Sequence, residues 1–397
     1  MVQQSRPSVI ETLSGFGNPR ALAAAIASIT ISGFSLSLTF PLLSLVMEAR
    51  GISDTVIGLN TAMAGFAALV SAPFCAPAAS RFGAVNVLMA AIACCTVCIA
   101  LFPATPTWAW FPLRFVFTVA ATLTFVIAEF WINDAANEAR RGLIMGVYAS
   151  VLSGGFALGP AVLAVTGSDT LAPFVVGVAA FALSLVPVWL ARDVAPPVHG
   201  APSQSFLALL WVAPAATFAA FVFGAAEQTG FAFFALFGLR SGLAEFQSAL
   251  LLTMIGVGNL LLQVPLGLLA DRFDRTRLLA ACGFIGFAGM LALPAVISTP
   301  LAAYAVLLVW GGITGGLYTI GLTQLGARFR GVDLASANAM FVMMYALGMM
   351  VGPLAGGFAM DRAGAPALAW FLAALFAAYT LIALWRVATK PSQGSGA

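Results

Sequence analysis

The chain of 397 residues is short of what makes a protein soluble: Asp, Glu, Lys and Arg together are 8% of it, and it has one His. A soluble domain carries about 25% charged residues, so this chain lacks the polar surface that folding in water requires. Its five cysteines (Cys75, Cys94, Cys95, Cys98, Cys282) all lie inside apolar stretches, which argues against a secreted disulfide framework. Cys95 and Cys98 have CxxC spacing, but in the middle of an apolar helix that spacing reads as packing. The net charge is only +3, with no basic stretch to hold a nucleic acid. Disorder is excluded by the same scarcity of charge.

What is present is apolar: 61% of 397 residues, about 242. One soluble core stops growing at about 250–300 residues, so the surplus needs a bilayer as solvent. At about 20–22 residues per spanning helix, twelve spans use roughly 250. Punctuation by Pro, Gly and charge predicts twelve helices, at 21–47, 56–78, 85–103, 108–131, 143–165, 171–191, 206–236, 246–268, 278–297, 301–325, 335–358 and 366–388. Arg6 and Arg20 precede a first apolar stretch too long for a signal-peptide core, so it is expected to stay as the first span. The longest internal polar stretch, Arg192 to Ser205, holds Pro196, Pro197, His199 and Pro202. It reads as a cytoplasmic linker, 192–205, between halves 1–191 and 206–397.

The charges orient the bundle. With the N-terminus inside, the inner segments hold Arg6, Arg20, Arg81, Arg140, Arg141, Arg192, Arg272, Arg275, Arg277, Arg328, Arg330, Arg386 and Lys390. The outer loops hold Arg50, Arg240 and Arg362, and Arg114 lies within the fourth helix. That positive-inside bias places both termini in the cytoplasm of a cell whose inner membrane the chain crosses.

The halves repeat each other. Arg81-Phe82 after the second helix matches Arg272-Phe273 after the eighth. Gly155-x-x-x-Gly159-Pro160 in the fifth matches Gly348-x-x-x-Gly352-Pro353 in the eleventh, 193 positions on. Two six-helix units in one orientation imply a pseudo-twofold along the membrane normal, with the substrate near the midplane between them.

At these residues the chain resembles the major facilitator superfamily of secondary transporters over nearly its whole length. The loop Gly267-Leu-Leu-Ala-Asp271-Arg272-Phe-Asp274-Arg275-Thr-Arg277 is similar to the superfamily's G-x-x-x-D-R-x-G-R-R/K signature, with Asp274 where Gly is usual. In the copy after the second helix, Ala76, Ser80 and Ala84 replace the Gly, the Asp and a basic residue. The fifth helix resembles the G-x-x-x-G-P element of proton-coupled antiporters, and the eleventh adds Gly356-Gly357. Arg114 takes the place of a fourth-helix Arg of the family, with Thr118 for the expected Gly. Glu129-Phe-Trp-Ile-Asn133, Arg141-Gly142 and Glu227 resemble a bacterial branch called YcaD-like, whose members are mostly uncharacterised. The resemblance implies an all-α fold of twelve spans and alternating access, driven by a proton gradient with no bound cofactor or metal, and no substrate identity.

Glu227 is the most informative side chain. The 193 offset sets it opposite Phe34, near the centre of the first helix, where a carboxylate costs several kcal/mol unless protonated, paired or wetted. Burial disfavours the anion, so Glu227 with Gln228 reads as a proton-coupling or substrate-cation site. The alternative is a structural hydrogen bond to Gln228, Thr229 or a neighbouring helix. Arg114 lies six residues inside Trp108, about 9 Å along the axis, and needs an acceptor or a wet cavity; snorkelling to the headgroups is the other reading. Glu129, fifteen residues further and about 22 Å deeper, is expected in an inner gate with Asn133, Arg81, Arg140 and Arg141. Asp271, Arg272 and Arg275 are expected to latch that gate, or simply to anchor the loop. The Gly-Pro elements (Gly155, Gly159, Pro160; Gly348, Gly352, Pro353, Gly356) read as close packing and hinges.

Phe218, Phe221, Phe231, Phe233 and Phe234 of the seventh helix are expected to line a cavity for an amphipathic or aromatic solute, or to face lipid. Met340, Met343, Met344 and Met350 lie at helical spacing, and thioethers suit Cu(I); copper is the remotest reading. One His in a linker and two isolated membrane carboxylates supply no enzyme's nucleophile, base or metal set. The expectation is therefore a monomeric proton-coupled transporter in lipid, exporting a small organic molecule by antiport. The alternative is an importer of an organic anion through Arg114.

Overall fold

The computed structural model describes residues 18–137, 141–194, 214–329 and 331–389, with the side chains of 141–143 and 331–336 outside the described ones. Among the described residues twelve helices are long and apolar enough to cross a membrane, and there is no strand. They are α1 (Pro19–Ala49), α2 (Asp54–Phe82), α3 (Ala84–Leu101), α4 (Trp110–Ala135), α5 (Arg141–Thr166) and α6 (Ala172–Leu190), then α7 (Pro214–Arg240), α8 (Glu245–Arg272), α9 (Arg275–Val296), α10 (Pro300–Arg328), α11 (Gly331–Ala363) and α12 (Pro366–Thr389). All twelve expected helices are present, most running further at their ends than the apolar pattern alone suggested. The expected linker is described only at 192–194, as a short 3-10 turn; His199 lies outside the described residues, as do Arg6, Arg140, Arg330 and Lys390.

Local chemistry sets the breaks. Pro300 and Pro366 open α10 and α12, where a missing N–H has no intrahelical partner to lose. Asp274, standing where the family pattern has Gly, caps α9 by accepting the Arg277 N–H at 3.0 Å. Gly51 and Gly242 have φ of 75° and 91°, a left-handed backbone that Gly adopts at little cost. They turn α1 into α2 and α7 into α8.

The chain packs as two compact units. Among the described residues one holds 18–39, 70–137, 141–159 and 171–194, the other 40–69, 160–170, 214–329 and 331–389. This partition cuts across the division into 1–191 and 206–397 that the repeat suggests: one end of α1, α2 and α5 packs with the later helices. In the first unit α3 lies against α4 and α6; in the second α7 lies along α11, α8 along α10, and α9 along α12 and α10.

The Gly-Pro elements account for two close backbone approaches, one in each unit. A Cβ on Gly155 would sit 2.8 Å from the Thr30 carbonyl oxygen, and one on Gly159 2.8 Å from that of Phe34. In the other unit a Cβ on Gly348 would strike the Phe221 oxygen, and one on Gly352 would lie 2.5 Å from that of Ala225. So α5 is set backbone to backbone on α1, and α11 on α7. The contacts also correct the register. The glycines repeat at 193, but the carbonyls they meet repeat at 191 (221 − 30 and 225 − 34). Glu227 therefore corresponds to Leu36, two positions from Phe34.

Candidate functional site

Glu227 lies thirteen residues from Pro214 and thirteen from Arg240, about 20 Å from each end of α7. It is partly exposed in a helix otherwise largely buried. The small residues around it let α11 approach, with Gly224 against the Tyr345 carbonyl, and this brings the Tyr345 ring across α7. Its hydroxyl donates to Glu227 Oε2 at 2.6 Å. Phe223, one turn before Glu227, stacks on Tyr345 with centroids 5.6 Å apart at 23°. Tyr318 of α10 closes the cluster, 5.2 Å from Phe223 and 6.1 Å from Tyr345. All three rings are partly exposed. Among the described residues no ion pair includes Glu227. A carboxylate that has, among the described residues, one neutral donor and no counter-ion has room for a proton or an organic cation, and ring faces beside it favour the cation.

A polar row continues from this cluster. Thr319, next to Tyr318 on α10, donates to Gln263 Oε1 at 3.1 Å, and Gln263 Nε2 donates to Asn259 Oδ1 at 2.8 Å. Gly315 makes room for the amide of Asn259, which a Cβ there would strike. Asn259, Gln263, Tyr318, Tyr345 and Phe223 are not among the residues expected from the sequence. The signal for the amides was present: Asn259 and Gln263 stand one turn apart in the apolar α8.

Gln228, expected to act with Glu227, turns away from it. Gln228 and Thr229 are 1% and 0% exposed, and Gln228 Nε2 and Thr229 Oγ1 have no hydrogen-bond partner among the described residues. The phenylalanine stripe is also divided. Phe233 and Phe234 are fully buried, with Phe234 edge-on to Trp310 at 5.4 Å, and Phe231 packs on Phe40 at 5.8 Å. Met340 and Met344 belong to an apolar cluster with Ala216, Ala220 and Phe341, which dissolves the methionine stripe.

A charged clamp sits at the end where α1 turns into α2. Arg240, the last residue of α7, donates through Nε and Nη2 to Glu48 at 3.0 and 2.6 Å and through Nη1 and Nη2 to Asp54 at 2.5 and 2.8 Å. Asp361 of α11 accepts the N–H groups of Asp54 and Thr55 at 3.0 and 2.8 Å, capping α2. Beneath it, Cβ atoms on Gly58 and Gly357 would strike the carbonyls of Pro353 and Asp54. Four helix ends are thus tied together. In the sequence Arg240 reads only as a loop charge, because nothing local shows which carboxylates lie across from it.

The expected inner gate is looser. Glu129 accepts the Tyr148 hydroxyl at 2.7 Å, and no ion pair among the described residues includes it; Arg140 and the Arg141 side chain lie outside those residues. Asn133 donates to the Glu129 carbonyl of its own helix at 3.1 Å. Arg81 lies over the neighbouring Phe82 ring at 5.3 Å. Asp271 meets Arg275 one turn on at 3.9 Å, with side chains 69% and 29% exposed, a pair worth about 0–1 kcal/mol. Arg272 pairs with no carboxylate among the described residues. Arg114 is 1% exposed, so it neither snorkels nor presents its guanidinium to a cavity.

The family described as Major Facilitator Superfamily matches residues 25–256 and, again, 216–397. The "Uncharacterized MFS-type transporter YfkF" of Bacillus subtilis is 25% identical over 390 residues, 93% of this chain and 95% of that one. The "Uncharacterized MFS-type transporter YcaD" of Salmonella typhi is 22% identical over 72% of this chain and 74% of its own. Among solved structures, the nucleoside transporter NupG superposes with a TM-score of 0.70 at 12% identity, covering 93% of this chain and 98% of that one. A mutant form of it gives 0.76 at 14%, covering 92% and 99%. At such identities the likeness is one of fold.

Proposed function

This chain belongs to the Major Facilitator Superfamily, and on that premise we propose that it exchanges protons for an amphipathic organic solute, with Glu227 as the proton site. That it is a secondary transporter working by alternating access, and not an enzyme, follows from the family. The observation that carries the rest is the placement of Glu227 at the midpoint of α7, partly exposed, with Tyr345 as its one hydrogen-bond donor among the described residues. An anion at that depth is costly, so the site alternates between a proton and a compensating cationic group. Occupancy by one excludes the other, which is the requirement for antiport. Phe223, Tyr318 and Tyr345 offer ring faces to the apolar body of the solute, and Asn259, Gln263 and Thr319 offer it hydrogen bonds. With protons running inward down their gradient, antiport is export; with the termini in the cytoplasm, as the charge bias has them, the Arg240 clamp lies at the outer end. Import of an organic anion on Arg114 is the weaker reading, because that guanidinium is 1% exposed.

The test is Glu227→Gln in proteoliposomes. Flux driven by a pH gradient is expected to vanish with expression and folding retained; undiminished gradient-driven flux would sink the coupling role.

A further inference from the structure

On the flank of the clamp runs a groove between α2 and α11 with a volume of about 590 Å³, with Thr55 at one end and apolar walls that include Leu59, Met63, Phe66, Val351, Leu354 and Phe358. Leu59 and Phe66 are each 44% exposed and Phe358 49%. In a chain whose helices span a bilayer these side chains meet hydrocarbon, and an acyl chain is the occupant that hydrocarbon provides. The groove extends along α2 from Thr55 to Phe66, eleven residues or about 16 Å. That is about half of a hydrocarbon core of about 30 Å, the depth of one leaflet. At its helix-end mouth Arg362 lies over the lining ring of Phe358, 4.7 Å from the centroid. Arg362 is exposed and pairs with no carboxylate among the described residues, while the adjacent Asp361 is occupied by the N-terminus of α2. A guanidinium left free at the polar end of a one-leaflet apolar groove suits a phosphodiester.

We propose that this groove binds one phospholipid, its acyl chain between α2 and α11 and its phosphate on Arg362. The groove exists while the two helices are packed on Gly58, Gly65 and Gly357, whose absent side chains allow their backbones to touch. A lipid bound there stabilises the packed arrangement against any state in which the helices part, by RT ln(1 + [L]/Kd). None of this depends on Glu227.

Native mass spectrometry of the full chain, stripped in detergent and given phosphatidylglycerol, tests the proposal. The expected result is one tightly retained phosphatidylglycerol, lost in Ala355→Trp, which fills the groove, and held about tenfold more weakly in Arg362→Gln. Ala90→Trp, in the separate apolar groove beside α3 and α4, should retain it. Equal retention by the native chain, Ala355→Trp and Arg362→Gln would mean ordinary boundary lipid and overturn the site. Diacylglycerol held by the native chain as tightly as phosphatidylglycerol would overturn the role of Arg362 without any reliance on a variant.

Discussion

Each packed unit joins a tyrosine hydroxyl to a glutamate, Tyr148 to Glu129 at 2.7 Å and Tyr345 to Glu227 at 2.6 Å. The bonds are alike, but their settings are not. Glu129 lies six residues from the end of α4 and is exposed, about 9 Å from the helix terminus. Glu227 lies at the midpoint of α7, faced by Tyr345, Phe223 and Tyr318. A carboxylate one or two turns from the helix end reaches water by a change of rotamer, whereas one at mid-span must be neutralised where it stands. Depth, more than the bond, distinguishes the two carboxylates.

The largest effect should come from removing each charge. Glu227→Gln is expected to abolish gradient-driven flux in proteoliposomes, while Glu129→Gln leaves it within about threefold, as suits an exposed group; equal losses would erase the distinction. Next come the glycines that place the two tyrosine-bearing helices. Gly352→Leu and Gly159→Leu each force a side chain against a carbonyl or its neighbours, and overpacking of this kind costs about 1–3 kcal/mol. Thermal unfolding in detergent should show a lower midpoint for both variants; an unchanged midpoint would mean that the close approach is dispensable.

Tyr345→Phe should sharpen the comparison further. Loss of a hydrogen bond to a charged group costs about 1.5–3 kcal/mol, so the pH at which tetraphenylphosphonium protects the protein from heat should move upward in this variant. Tyr148→Phe should leave that pH where it is. In the native chain the same cation should protect more at pH 8 than at pH 6, because it competes with the proton for Glu227; the reverse order would point to co-binding and remove antiport. The smallest effect is expected at the clamp. Glu48 and Arg240 are each 31% exposed, so Glu48→Gln, which leaves the buried Asp54 paired with Arg240, should loosen this end by about 1 kcal/mol, or fivefold. Distances between spin labels at Ser53 and Ser241, in a background without the native cysteines, would report it.

Much of the architecture is legible in the amino-acid sequence. The apolar runs locate twelve helices, and Glu227 stands out because a carboxylate among so many small and aromatic residues needs a reason. The glycine pattern also announces close packing. Partners are what the sequence hides. The phenylalanines of α7 read as one stripe, yet Phe233 and Phe234 are buried against the protein while the unremarked Phe223 stacks on Tyr345. Glu129 has arginines nearby in sequence, and nothing local announces that it also takes a tyrosine hydroxyl from α5. Asp274 reads as a lapse from a family pattern and is a helix cap.

The sequence by itself determined the class of solvent, the number of helices and the depth of each charge, because partition into a bilayer is settled span by span and read along the chain. Only the tertiary structure decided what meets Glu227, which carboxylates hold Arg240 and where α2 and α11 leave a groove. Those depend on the height and rotation at which helices distant in sequence come together. That height is set by backbone contacts at a few glycines, where a slip of two residues, 191 against 193, changes the counterpart of Glu227 from Phe34 to Leu36.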